Sequence, residues 1–320
     1  MDMRKTVICC GNISFDLITT GVPGKGGITF QARPGGSVLN TVILLARLGL
    51  PVAMLSKTGT DFLGTRLLAV LRGENVGTKY IVQDQAVKTG LAIAQIDKKG
   101  DPSYLFYAPK GPETTFKKGQ PPPSLFKKTA VFHTASAYSY NNYTFEDTFR
   151  ILKQAKKETV FTTYDPNWRE DRIKDKRKTR QRIKKLLPYV NLLKLNDTDA
   201  TGITGTKTLS SALARLGREA IITLGEKGSF FWDGKKKTYC PAFKARVVDT
   251  IGAGDGFTAG LIYRYCLKGT EAFREEKKET LVFASAVAAL VCQGRGAAEG
   301  LRSLRQVKAF LKSGLSSRAS

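Results

Sequence analysis

Val247-Val-Asp-Thr-Ile-Gly-Ala-Gly-Asp-Gly-Phe-Thr-Ala-Gly260 is the stretch from which the fold is read. It opens on a β-like Val-Val pair and passes through a glycine-rich turn. Phe257, Leu261 and Tyr265 then recur at i, i+4 and i+8, which is one face of a helix. Gly252 and Gly254 let the backbone turn tightly and approach a ligand closely. The free N–H groups of the helix start point at that turn, and the helix dipole favours an anion there, with phosphate the natural guest. Asp255 inside this positive end has two readings. It is a favourable first-turn acid, stabilising by under about 1 kcal/mol, or a base held beside a phosphate in transfer. The loop is not a Walker loop, because no GxxxxGK[ST] occurs in the chain. The third glycine is misplaced for a dinucleotide fingerprint, which argues against a Rossmann dehydrogenase.

Outward from this unit, short β-branched runs alternate with helical patterns. Strands are expected at 6–10, 52–56, 130–135, 160–164, 191–195 and 220–224, and helices at 37–48, 61–72, 143–157, 174–187 and 210–216. Ser37 is expected to cap the first helix and Gly49 to end it. Such alternation predicts βαβ units and a mostly parallel sheet covered on both faces. Two stretches break it. Residues 13–30 mix strand-like residues with glycines, and 88–110 read as a hairpin joined by Lys98-Lys-Gly-Asp-Pro102. Together they predict a small separate sheet formed by inserted segments.

Composition bounds the function. The length of 320 residues suits two domains, or one large α/β domain with an appendage. Leu281 to Val291 is too short to span a bilayer, and the start lacks the pattern of a secretory leader. A soluble, cytoplasmic protein is expected. Five scattered cysteines and a single histidine, His133, leave no zinc pattern and no Cys–His nucleophile. The formal charge of +25 points first to a solvated lysine-rich surface and secondly to nucleic acid or another polyanion. Eight of the twelve residues from Lys174 to Lys185 are basic, without interleaved aromatics, so nucleic-acid binding is the weaker reading.

Further candidate residues lie near the N-terminus. Pro34-Gly-Gly-Ser-Val-Leu-Asn40 opens a helix. Asn40 is a mediocre helix former, and its amide can read a sugar hydroxyl as donor and acceptor. Asp16 is a turn aspartate or a carboxylate for paired hydroxyls.

With these motifs the chain resembles the ribokinase-like family of carbohydrate kinases, the PfkB group, over nearly its whole length. Asp249-Thr-Ile-Gly-Ala-Gly-Asp255 and Gly35-Gly-Ser-Val-Leu-Asn40 through Ala46-Arg-Leu-Gly49 carry the resemblance. It implies a doubly wound, mostly parallel α/β fold over 1–320, with a small β-sheet lid from segments of about 13–33 and 88–112. It implies Asp255 as the base, and Gly252, Ala253 and Gly254 as an anion hole. Asp16, Gly35, Gly36, Asn40, Tyr107 and Arg169 would bind the sugar. Asn196, Thr223, Gly225, Gly228 and Ala288 would border ATP, with Ala284 to Ala289 open to a second reading as close helix packing. Asp199 stands where the family usually has glutamate, which implies magnesium bound through water. Asp249, Ile251 and the Gln293–Ala297 loop resemble a potassium site.

Asp165-Pro-Asn-Trp-Arg169 resembles the Asp-x-Asn-x-Arg stretch of fructokinases and 2-keto-3-deoxygluconate kinases. The first of these is the leading expectation for the substrate, ahead of ribokinase and nucleoside kinase. Ala108 departs from the lid arginine common in those relatives, and Arg33, Lys110 or Arg169 would have to compensate. Exposed lid strands need covering, so a homodimer through the lid is expected.

Overall fold

The computed structural model describes residues 5–21, 27–96, 102–107, 111 and 114–316. In chain order the elements are β1 (Thr6–Cys10), β2 (Ser14–Gly21), β3 (Thr29–Gly35), α1 (Ser37–Arg47), β4 (Val52–Thr58), α2 (Phe62–Gly73), β5 (Gly77–Gln83), β6 (Gly90–Ile96), β7 (Pro102–Tyr107), α3 (Ser124–Lys127) and β8 (Thr129–Ala135). There follow α4 (Phe145–Lys157), β9 (Phe161–Asp165), α5 (Lys176–Leu186), β10 (Leu192–Asn196), α6 (Asp197–Thr204), α7 (Leu209–Leu216), β11 (Ala220–Thr223), β12 (Ser229–Trp232), β13 (Lys237–Cys240), α8 (Ala253–Glu275), α9 (Lys277–Val291) and α10 (Leu304–Ser316).

Nine strands form one sheet in the order β13-β12-β11-β10-β9-β8-β1-β4-β5. All its pairings are parallel except those of β12 with β11 and of β13 with β12. Both faces of the sheet are covered, which lets apolar runs continue along a strand without alternation. All seven residues of β8 are buried. Strand periodicity divides the core in two. Val7 and Cys9 point into a cluster with α1, α8 and α9, whereas Ile8 and Cys10 point into one with α4 to α7. The doubly wound arrangement follows from that division.

A second sheet has the order β3-β2-β6-β7. The chain enters it from the carboxyl end of β1 and returns through β3 directly into α1. It therefore hangs at the carboxyl edge of the large sheet. The hairpin expected over 88–110 is the antiparallel pair β6–β7. Its connection, 97–101, lies outside the described residues, as do Ala108 and Lys110.

Winding reverses at β1, which has β4 on one side and β8 on the other. Ligands of open α/β sheets bind outside the carboxyl ends at such a point. Asp165, Asn196 and Thr223 end β9, β10 and β11 at that edge.

Some local expectations are corrected. Gly36, not Ser37, is the N-cap of α1, and no side chain caps it; the Ser37 hydroxyl is engaged elsewhere. Val247 and Val248 are exposed and belong to no strand. That segment follows the edge strand β13 and is tied to the C-terminal end of α9 by Val248 N–H donating to Cys292 O at 2.8 Å. The antiparallel edge strands β12 and β13 lie outside the set of strands expected from the sequence.

Candidate active site

The centre of the site is the start of α8. Gly252 is its N-cap at φ +81, and a side chain there would collide with the Ala297 carbonyl. Only glycine accepts both demands without strain. The backbone of Gly252, Ala253 and Gly254 thus forms a helix N-terminus facing the sheet's carboxyl edge, with Asp255 in its first turn.

Asp255 is fixed from α1. Ser37 Oγ donates to its Oδ1 at 2.5 Å and Asn40 Nδ2 donates to its Oδ2 at 2.8 Å. This explains why a poor helix former sits in the first turn of α1, and where the Ser37 hydroxyl goes. Burial pushes the Asp255 carboxyl up to about 6. The bonds from Ser37 and Asn40 and the charge of Lys194 oppose that rise, and Asp165 adds to it. A carboxylate of this kind can take a proton near neutral pH.

Asp16 on β2 lies over Gly35 so closely that any side chain at Gly35 would strike its carboxylate. Burial first, and then the charge of Asp255, raise its carboxyl to about 6 against the opposing pull of Arg172. Asp255 is therefore near enough to Asp16 to act on its charge. Gly36 links β3 to α1 beside them.

Register places the aromatics of the small sheet. Ala92 pairs with both Asp16 and Phe106, so these three share a face. Tyr107 is in register with Leu91 and Phe15, on the other face, and is 59 % exposed. Phe106 is thus the aromatic on the Asp16 side, and the Arg172 guanidinium lies 4.1 Å from its ring centroid. Arg169 is exposed at the start of the 3₁₀ turn Glu170–Arg172, and its guanidinium makes no hydrogen bond or ion pair among the described residues. Arg33 is committed elsewhere: it donates to Gln31 and to the Arg295 carbonyl.

The remaining candidates fall into two groups. Asn196 and Asp199 form a capping box at the start of α6. Asp199, 1 % exposed, accepts from Asn196 N–H at 2.8 Å and from Trp168 N–H at 2.6 Å, so it lashes the Asp165–Trp168 loop to α6. Thr223 ends β11, and Gly225 and Gly228 bracket the turn that follows. Ala288 on α9 is partly exposed and packs near Gly256. Ala284 is fully buried and leaves no room for a side chain at Gly260, so this part of the small-residue run serves helix packing.

Asp249 closes the neighbouring loop. Its oxygens accept from Ile251 N–H and Gly296 N–H, both at 2.9 Å. Among the described residues no group of three or more His, Cys, Asp or Glu forms a metal cage. Magnesium needs none, because it favours phosphates, waters and one or two carboxylates.

Sequence reading missed Lys194. It lies on β10, its side chain 7 % exposed, and donates to Asp165 Oδ2 at 2.8 Å. The signal was a lysine inside the otherwise apolar run Leu192-Leu-Lys-Leu195. His133 has no part in the site; it is buried on β8 and bonds Thr163 Oγ1 at 2.9 Å.

The model of the pfkB family of carbohydrate kinases matches residues 4–304. This chain belongs to that family. The kinase is 28 % identical to Fructokinase-1 of Zea mays, over 93 % of this chain and 95 % of that one. It is 27 % identical to Fructokinase-1 of Oryza sativa subsp. japonica, over 96 % and 98 %. The fold resembles that of a Xylella fastidiosa fructokinase with bound ATP (TM-score 0.85, 23 % identity, 97 % of this chain and 99 % of that one). It equally resembles a Vibrio cholerae O395 fructokinase holding fructose, ADP and calcium (TM-score 0.85, 22 % identity, 97 % and 100 %).

Proposed function

We propose that this carbohydrate kinase transfers the γ-phosphoryl group of ATP to a hydroxyl of fructose. The observation that carries the reading is Asp255, held in the first turn of α8 by Ser37 and Asn40 and facing Asp16 across the pocket. The sugar oxygen attacks the γ-phosphorus, the bond to the β-bridging oxygen breaks, and the hydroxyl proton passes to Asp255. The N–H groups at Gly252, Ala253 and Gly254 receive the charge that develops on the phosphoryl oxygens. Asp16, Gly35 and Gly36 frame the sugar, with Phe106 and Arg169 at its rim. Asn196, Thr223, the 225–228 turn and Ala288 border the nucleotide. Magnesium, when bound on the phosphates, would neutralise charge there, with Asp199 reaching it only through water. Potassium would be held by Asp249 and the backbone at Ile251.

Residues 1–320 act on this reading as one kinase domain, with the small sheet as a lid that excludes water once the sugar is bound. Its exposed apolar residues, among them Phe30 and Leu105, favour a homodimer through the lid. No helix among the described residues is long and apolar enough to cross a membrane, and five free thiols suit the reducing cytoplasm.

Arg169 favours one alternative. An unpaired guanidinium at the rim suits a carboxylate, hence 2-keto-3-deoxygluconate. An assay of ADP release with fructose, 2-keto-3-deoxygluconate, ribose and adenosine decides. Turnover on fructose above the others supports the proposal, turnover on the keto-acid alone transfers it to the alternative, and silence on all four removes it.

A further inference from the structure

Lys194 is a buried cation for which packing supplies no reason. The rest of β10 is apolar up to Asn196. Replacing a buried ion pair by apolar residues of similar volume is often neutral or stabilising, so the Lys194–Asp165 pair is weak as a stabilising device. Its position suggests another use. A Cβ built on Gly254 would stand 3.2 Å from Lys194 Nζ, so the ammonium lies directly against the helix N-terminus that faces the transferring phosphate. An ammonium has three N–H donors. Among the described residues Asp165 accepts the one hydrogen bond it makes, which leaves donor capacity beside Gly254. Its charge is secure: burial works against it, but Asp165, Asp199 and Asp255 outweigh burial and raise its pKa.

We propose that Lys194, clamped by Asp165, is a positioning residue of phosphoryl transfer, placing a fixed positive charge behind the anion hole at Gly254. The inference rests on the kinase reading above and adds a residue to it. Two consequences follow. The ammonium offsets part of the negative charge that Asp16, Asp165, Asp199 and Asp255 bring to the same region, so a nucleotide triphosphate can enter. It also lowers the proton affinity of Asp255, keeping more of that carboxylate ionised as a base near neutral pH. A neutral side chain on β10 would remove both effects without touching the sugar pocket.

The test compares the full-length protein with K194M, the doubly neutral D165N/K194M, and D255N. K194M leaves Asp165 buried and unpaired and is expected to melt lower. The double variant removes both charges and is expected to recover most of the melting temperature. If the proposal holds, kcat in both falls on the order of 10²-fold, the scale for losing one stabilising donor, while the sugar KM stays within about threefold. Calorimetry with the β,γ-imido analogue of ATP should show roughly tenfold weaker binding, with ADP nearly unchanged, because on this proposal the charge lies behind the donors that receive the terminal phosphate. A folded double variant with kcat within about threefold of the parent overturns the proposal, as does equal weakening of the analogue and ADP; either outcome makes Lys194 structural glue. The controls separate the two levels. A parent active on a sugar, with D255N inactive and the double variant active, refutes the role of Lys194 alone. A parent that phosphorylates no sugar refutes the kinase reading and this inference with it.

Discussion

Asp255 and Asp16 hold carboxyls raised to about 6, both chiefly by burial, with Asp165 adding to the rise at Asp255 and Asp255 to the rise at Asp16. Such groups bind protons more tightly in the folded chain than in the unfolded one, so their contribution to stability falls as pH rises from about 4 to 6. On the proposed mechanism, the cost is borne where a base is needed. Asp255→Asn removes that base and should lower kcat by roughly 10²- to 10⁴-fold, with a melting temperature above pH 7 no lower than the parent's. A variant within threefold of the parent in steady-state rate would strip Asp255 of its role. In the parent, kcat/KM should fall below about pH 6, where Asp255 takes up its proton before the substrate can supply one; a profile flat to pH 5 would contradict this. The residue scale was only half legible from the motifs. They mark Asp255 and Asn40, but that the Asn40 amide binds Asp255 depends on α1 and α8 lying side by side, and no spacing within one motif reveals it.

At the scale of elements, the small sheet is joined to the body by buried apolar residues such as Phe15 and by cations at its rim. Arg172 lies over Phe106, and Arg33 reaches the loop at Arg295. An exposed cation–π contact contributes about 0.5–1 kcal/mol. If the closed lid is what the sugar selects, Arg172→Ala should raise the sugar KM about two- to fivefold with little change in kcat. A fall in kcat at unchanged KM would assign Arg172 to the chemical step instead. The hairpin β6–β7 was readable because two alternating runs flank a turn-forming linker. Which of its aromatics faces Asp16 was not readable. Tyr107 and Phe106 are adjacent, and a one-residue difference in register exchanges the two faces; the pairing with β2, fixed by tertiary contact, selects Phe106.

For the whole molecule the charge and the exposed patch are the open features. The basic run is not a uniform solvated face. Arg180 donates to Gly202 O, and Arg182 to Tyr140 O and Asn142, so part of it pins α5 to the body. Lys178, Lys184 and Lys185 stay exposed, which suits solubility. The small sheet presents Phe30, Leu105 and Tyr107 to solvent, with Ile28 exposed just before β3. A protein that covers these by pairing should sediment as a dimer, and Leu105→Lys should shift it toward monomer. A parent that is monomeric at micromolar concentration would end the dimer proposal.

The sequence by itself determined the alternation of strands and helices, the layered sheet and the glycine turn with its acid, because periodicity and backbone freedom are local properties that a run of residues carries with it. It also carried the likeness to the kinase family, through two motifs far apart in the chain. Tertiary structure decided how those motifs meet: Ser37 and Asn40 on Asp255, Asp16 against Gly35, Lys194 behind Gly254. Each of these contacts joins residues from different elements, and their distances are set by how strands pair and helices pack, which a linear pattern does not encode.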